Sequence, residues 1–213
     1  DEILDLRLKL ANQNYEVELA QAKGDANKIA LAEKNKRVAI IQAYEETSNE
    51  KIDLIRQEAE LQMMMLNTTF KEEENQIKKD GIAKKKSKVQ IDAEIQLLTS
   101  KHNKEMLKLQ ISAAEAELKV AEAAGTISKE KIEQAREKLR ALKAEFQGLA
   151  LMVEELAQKK QEYFSSEDYR NAEVFGEAIS HISDASTSAL GEVSQLFDAI
   201  GDLTKDAVSG FGK

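Results

Sequence analysis

The stretch KEKIEQAREKLRALKAEFQGLALMVEEL, residues 129–156, decides the fold class. Within it Ile132, Ala135, Leu139, Leu142, Phe146, Leu149, Val153 and Leu156 recur in unbroken steps of three and four. Only a helix brings residues at that spacing onto one stripe, and a stripe this regular is a coiled-coil seam. Upstream, Met106, Leu109, Ala113, Ala116 and Val120 keep the same spacing. Between the two arms lies Gly125-Thr126-Ile127-Ser128. Gly125 suits a helix C′ position, and Ser128 suits an N-cap with Glu130 in the first turn behind it. Ile127 and Ile132 stand where a hydrophobic staple places its two apolar residues. A short turn between two patterned arms predicts an antiparallel hairpin, with arms roughly 55 Å long at about 1.5 Å per residue.

Composition extends this reading to the whole chain. The 213 residues include no Pro, where average usage would give roughly ten. Pro is the strongest breaker of helix interiors, so little stands in the way of long helices. Charged residues are 33% and aromatics 5%, too few aromatics for a large globular core. Four of the six Phe lie at or after Phe164. The expected class is all-α: elongated antiparallel helical hairpins or coiled coil, with no β-sheet.

Three segments are expected. Residues 1–80 form a first helical hairpin with a long second arm, turning at Gly24-Asp25, where a C′ glycine precedes an N-cap. Its first helix carries Ile3, Leu6, Leu10, Val17 and Ala20, with Gln13 filling one slot. Leu4, Leu8, Ala11 and Tyr15 widen that face enough for more than one neighbour. The second arm has Val38, Ile41, Ile52, Ile55, Ala59 and Leu66, interrupted by polar slots, and Met63-Met64-Met65 as gap filling at a multi-helix contact. Lys78 to Lys88 holds six Lys around Asp80-Gly81 and reads as a solvated turn.

Residues 81–163 form the coiled-coil hairpin pivoting at Gly125–Ser128. Its first arm starts near Ile82 and holds an eleven-residue step between Ile95 and Met106, with His102 as a polar seam residue. Residues 164–213 form a Ser/Ala/Gly-rich amphipathic helical tail, with a stripe of Ile179, Ile182, Ala189, Val193, Leu196, Ile200 and Leu203. Gly191, Gly201, Gly210 and Gly212 weaken it as an isolated helix, so it needs partners.

No chemistry stands out. Two His, no Cys and no HExxH remove the common zinc patterns, and there is no GxGxxG, P-loop or GxSxG. Glu72-Glu73-Glu74 is a solvated charge run. No catalytic, cofactor-binding or metal site is expected, and no enzyme. The net charge of −8 speaks against nucleic-acid binding. No apolar run approaches the roughly 18 residues of a membrane span. The start, Asp1-Glu2-Ile3-Leu4-Asp5, has no signal-peptide pattern and no Met, so the chain reads as a fragment or a processed product.

The Gly-marked hairpins Ala22-Lys23-Gly24-Asp25 and Ala123-Ala124-Gly125-Thr126, and the switch to a Ser/Ala/Gly-rich end, resemble the coiled-coil region of a phage tail tape measure protein. Leu61-Gln62-Met63-Met64-Met65-Leu66-Asn67-Thr68-Thr69-Phe70 and Phe197-Asp198-Ala199-Ile200-Gly201-Asp202-Leu203 add to the resemblance. The family's long hydrophobic segments have no match here. The resemblance implies a structural rod in the tail lumen that sets tail length, a virion location, and a homo-oligomer, with a trimer favoured, beside other tail or scaffold proteins. Without it, a soluble cytoplasmic helical adaptor is expected. A membrane-active, pore-forming-like subunit is the other alternative, touching lipid only through the C-terminal segment.

Overall fold

The chain is all-α in the computed structural model, which describes residues 2–124, 129–165 and 169–209, with side-chain surroundings for 2–124, 129–160 and 174–200. Among the described residues five helices follow in order: α1 (Glu2–Ala22), α2 (Ala26–Ala83), α3 (Lys88–Ala124), α4 (Lys129–Ser165) and α5 (Tyr169–Ser209).

Local chemistry sets the boundaries. α1 ends as Lys23 and Gly24 turn left-handed, at φ 46° and 83°. The Asp25 carboxylate then accepts the backbone N–H groups of Asn27 and Lys28 at 3.0 and 3.3 Å, an N-cap satisfying two orphan donors of α2. α2 runs for 58 residues, about 87 Å at about 1.5 Å per residue.

At its far end the structure departs from the sequence reading. Asp80-Gly81 does not break the helix, and the division at residue 80 falls inside α2. Gly81 is buried, and a Cβ there would meet Ile91 Cγ1 at 2.5 Å, so the glycine serves close approach of two helices rather than a turn. The turn comes at Lys84-Lys85. The Lys86 N–H donates to Gly81 O at 2.9 Å and the Lys85 N–H to Ile82 O at 3.1 Å, the paired bonds of a Schellman motif. α3 starts at Lys88, not near Ile82. A capping box starts it: the Gln90 N–H donates to Ser87 Oγ and the Ser87 N–H to Gln90 Oε1, at 3.2 and 3.0 Å. Lys85 occupies the left-handed C′ position at φ 54°, where Gly carries no steric cost. Lys85→Gly is expected to raise stability by about 0.5–1 kcal/mol. Urea unfolding checks this; an unchanged or lower midpoint contradicts it.

The helices pack by apposed stripes. α1 lies antiparallel on α2, with Arg7 beside Thr47 and Glu50, and Glu18 beside Asn35. α2 then lies antiparallel on α3, with Arg56 beside Glu117, Met63 beside Gln110 and Gly81 beside Ile91. α4 returns along α3, pairing Arg136 with Glu122, Lys143 with Glu115 and Lys160 with Glu94. α5 runs parallel to α3, with Gly176 near Gln96 and the Phe197 carbonyl near Arg56 and Glu117. α3 is thus the hub, packed against α2, α4 and α5. The turn at 125–128 and its staple lie outside the described residues.

The main core sits among α3, α4 and α5. From α3 come Leu107, Ile111, Ala114, Leu118 and Ala121, and from α4 come Ala135, Leu139, Leu142, Leu149 and Val153. α5 adds Ile182, Ala189, Val193, Leu196 and Ile200. A second cluster joins Ala93 and Leu97 to Phe175 and Ile179. Burial of these apolar surfaces is the main favourable term holding α5 in place. The partners that the Gly-containing segment needs are α3 and α4 of the same chain.

Candidate functional site

The stripe read on α4 faces the core. Ala135, Leu139, Leu142, Leu149 and Val153 are buried, and Ile132, Phe146 and Leu156 are half-buried against them. On α5, Ile179, Ile182, Ala189, Val193, Leu196 and Ile200 are buried, while the side chain of Leu203 lies outside the described residues.

On α3 the reading falls one stripe over. Met106, Leu109, Ala116 and Val120 are half-buried, and only Ala113 of that set is buried. The innermost stripe is Ala93, Leu97, Ser100, Lys104, Leu107, Ile111, Ala114, Leu118 and Ala121, all buried but the half-buried Lys104. It keeps steps of three and four throughout, so the core stripe has no eleven-residue step. Ser100 and Lys104 conceal it, since polar residues in two consecutive slots make the neighbouring apolar stripe read more strongly. α3 carries both because it has three neighbours. His102 faces α2: its Nε2 lies 2.9 Å from Asn67 Oδ1, and its ring stacks on Phe70 at 4.6 Å between centroids. Burial holds its pKa below the ordinary histidine value.

Sequence reasoning missed two inward-turned carboxylates, one buried and one half-buried, each held by basic side chains. Glu117 is fully enclosed in α3. Arg56 meets it with a bidentate fork, Nε to Oε1 and Nη2 to Oε2, both at 2.9 Å. The same Nη2 donates to the Phe197 carbonyl at 3.1 Å, and the guanidinium lies 6.0 Å from the Phe197 ring. One side chain therefore ties α2, α3 and α5. Burial pushes the Glu117 carboxyl up, against the opposing pull of Arg56. The available signal was Glu117 lying on the wider apolar face of α3, where a charge needs a partner.

The second is Glu94, held by Lys86 at 2.7 Å and Lys160 at 3.0 Å. Burial pushes its carboxyl up, and the two ammonium groups more than reverse this, leaving it below the ordinary carboxylate value. A depressed carboxylate stabilises the fold above its unfolded-state pKa, and that contribution disappears as pH falls through the folded value. The stability deficit of Glu94→Gln is therefore expected to be constant above about pH 5 and to shrink below it. Denaturation across pH checks this; a deficit independent of pH contradicts it.

Clefts offer little chemistry. One lies where Leu4, Tyr44, Thr47, Ser48 and Lys51 meet Lys119, Val120, Ala123 and Ala124, with no His or carboxylate in its lining. Another, between α3 and α4, is lined by Glu115, Glu122, Arg136 and Lys143, already engaged with one another. A third holds His181 and Glu155 beside Met152 and Leu156, and Glu155 pairs with Lys159. Among the described residues no cluster of His, Cys, Asp or Glu could hold a metal, and no helix is long and apolar enough to cross a membrane. Glu45 is a buried carboxylate whose Oε1 lacks a hydrogen-bond partner, and burial pushes its pKa up.

The open surfaces are helix faces. Ile3, Leu6, Leu10 and Val17 on α1 are more than half exposed, as are Leu54, Leu61, Met64 and Met65 on α2. Met63 is half-buried, with its sulfur beside Gln110, so the three methionines do not share one contact. What the arrangement can do is present long apolar and charged faces to other helices. No protein-family model matches the chain, and no curated protein or solved structure matches it.

Proposed function

We propose that this chain is a structural helical protein that works through its length and its helix faces, as in the coiled-coil region of phage tail tape measure proteins. The observation that carries the reading is α2, 58 residues of uninterrupted helix that serve α1 along one half and α3 along the other. A shared helix of about 87 Å makes length a built-in property of the chain. Pairing with other chains falls to the exposed stripes, and the ion pairs of Glu117 and Glu94 fix which helices of one chain pair with which.

In this reading the chain occupies a tail lumen, and the residue count of the parent protein sets the tube's length during assembly. Deleting whole heptads from the parent is expected to shorten the tail in proportion to the residues removed, as measured on electron micrographs. Tails of unchanged length overturn the reading. Liposome leakage separates it from a membrane-active role, in which α5 would have to expose the stripe that now faces α3 and α4. A structural rod releases no dye at any lipid composition.

A further inference from the structure

We infer that α1 is a self-pairing surface, whose heptad stripe docks antiparallel against the same stripe of a second copy of this chain. The stripe Ile3, Leu6, Leu10, Gln13, Val17, Ala20 has steps of three, four, three, four and three. That is the a/d pattern of a two-helix seam, yet it faces away from α2. Ile3, Leu6, Leu10 and Val17 are 56%, 64%, 57% and 56% exposed. The side of α1 against α2 is a different one, with Ala11 and Ala22 buried and Leu4, Leu8 and Tyr15 half-buried. Among the described residues α1 packs along α2 and meets α3 only near the cleft around Leu4. A complete seam is thus left open along the whole helix, about 30 Å at about 1.5 Å per residue.

Charge chooses the partner and its direction. With Ile3, Leu10 and Val17 at a, the g positions within α1 are Glu2, Lys9 and Glu16. Antiparallel pairing sets a against d and g against g. Ile3 then layers on the partner's Ala20, Leu6 on the partner's Val17, and Leu10 on the partner's Gln13. In that register Lys9 faces the partner's Glu16, and the two-fold axis repeats the pair, so opposite charges meet on both sides of the axis. Neither Lys9 nor Glu16 forms an ion pair within the chain among the described residues. A parallel pair would set Lys9 against an Asn, Glu16 against a Gln and Glu2 against Arg7, and Arg7 is already held by Glu46 and Glu50 of α2. Geometry agrees. α1 and residues 26–47 of α2 run on past the end of α3, which lies level with Ser48 and Lys51. Antiparallel arms place the α3 ends of the two copies at opposite ends of the seam. This inference stands independently of the tape measure reading.

Sedimentation of the full 213-residue chain tests it. The expected result is a monomer–dimer equilibrium with a dissociation constant on the order of micromolar, as befits an interface at the small end of the specific range. Leu10→Glu sits on the solvent face, leaves helicity unchanged by circular dichroism, and raises the dissociation constant by at least about a hundredfold. Glu16→Lys sets like charges together at two symmetric places and weakens pairing about tenfold. Adding Lys9→Glu to Glu16→Lys restores it. A monomeric wild type, an assembly indifferent to Leu10→Glu, or a charge swap without recovery overturns the proposal.

Discussion

Arg56→Leu is expected to destabilise the chain by about 3–5 kcal/mol at neutral pH, because it strands the Glu117 carboxylate inside the bundle. Glu117 is 0% exposed, and its two oxygens each accept one N–H of Arg56 at 2.9 Å. Without the guanidinium the carboxyl must stay charged in an apolar site or take up a proton. Its folded-state pKa then rises further above the unfolded value. A carboxyl with a raised folded pKa costs stability above that value, and the cost vanishes as pH falls to the unfolded pKa. The Arg56→Leu deficit should therefore be largest near neutrality and fall toward about pH 4. The double variant Arg56→Leu/Glu117→Leu removes both charges and is expected to lie near the wild type or above it. Guanidinium unfolding of the wild type and the two variants at two pH values measures this. A single-variant loss under about 1 kcal/mol, or a double variant worse than the single, would show that the pair is a surface bridge of little weight.

Phe175→Ala is expected to cost about 3–5 kcal/mol, as for other buried Phe truncations. Phe175 is 0% exposed and fills the cluster with Ala93, Leu97 and Ile179, where α5 first meets α3. By contrast Leu6→Ala, on the open stripe of α1, should change the stability of the isolated monomer by no more than about 0.5 kcal/mol. Thermal unfolding at low concentration compares the two. If both substitutions cost the same, α5 is not held in the core as the burial pattern requires.

The contrast also shows what the amino-acid order reveals. The stripes of α4 and α5 were legible because each helix buries one face, so period and burial coincide at Leu139, Leu142, Val193 and Leu196. The turn at Gly24-Asp25 was legible because glycine conformation and capping chemistry act locally. α3 was misread by one stripe because it serves three neighbours, and Ser100 and Lys104 sit in its innermost row. Gly81 was read as a breaker because nothing in its immediate sequence announces Ile91, which approaches it from another helix. The Ser87–Gln90 capping box was present in the letters and is a stronger start signal than the lysines around it. The Arg56–Glu117 pair joins residues far apart in the chain, and no local pattern shows which of many charges turns inward. The seam of α1 was legible as a pattern, and only the structure shows that its own chain leaves it open.

The continuity of α2 carries the structural reading of this protein and can be measured directly. The chain has no Cys, so spin labels can be attached at Glu33→Cys and Glu73→Cys, two exposed positions on α2. Forty residues of unbroken helix separate them by about 60 Å at about 1.5 Å per residue. Pulsed dipolar spectroscopy on labelled chain diluted in excess unlabelled chain is expected to give one narrow distribution centred near that distance. A broad distribution, or one centred well below about 50 Å, would mean that α2 bends or breaks and that the long shared helix is not a property of the molecule.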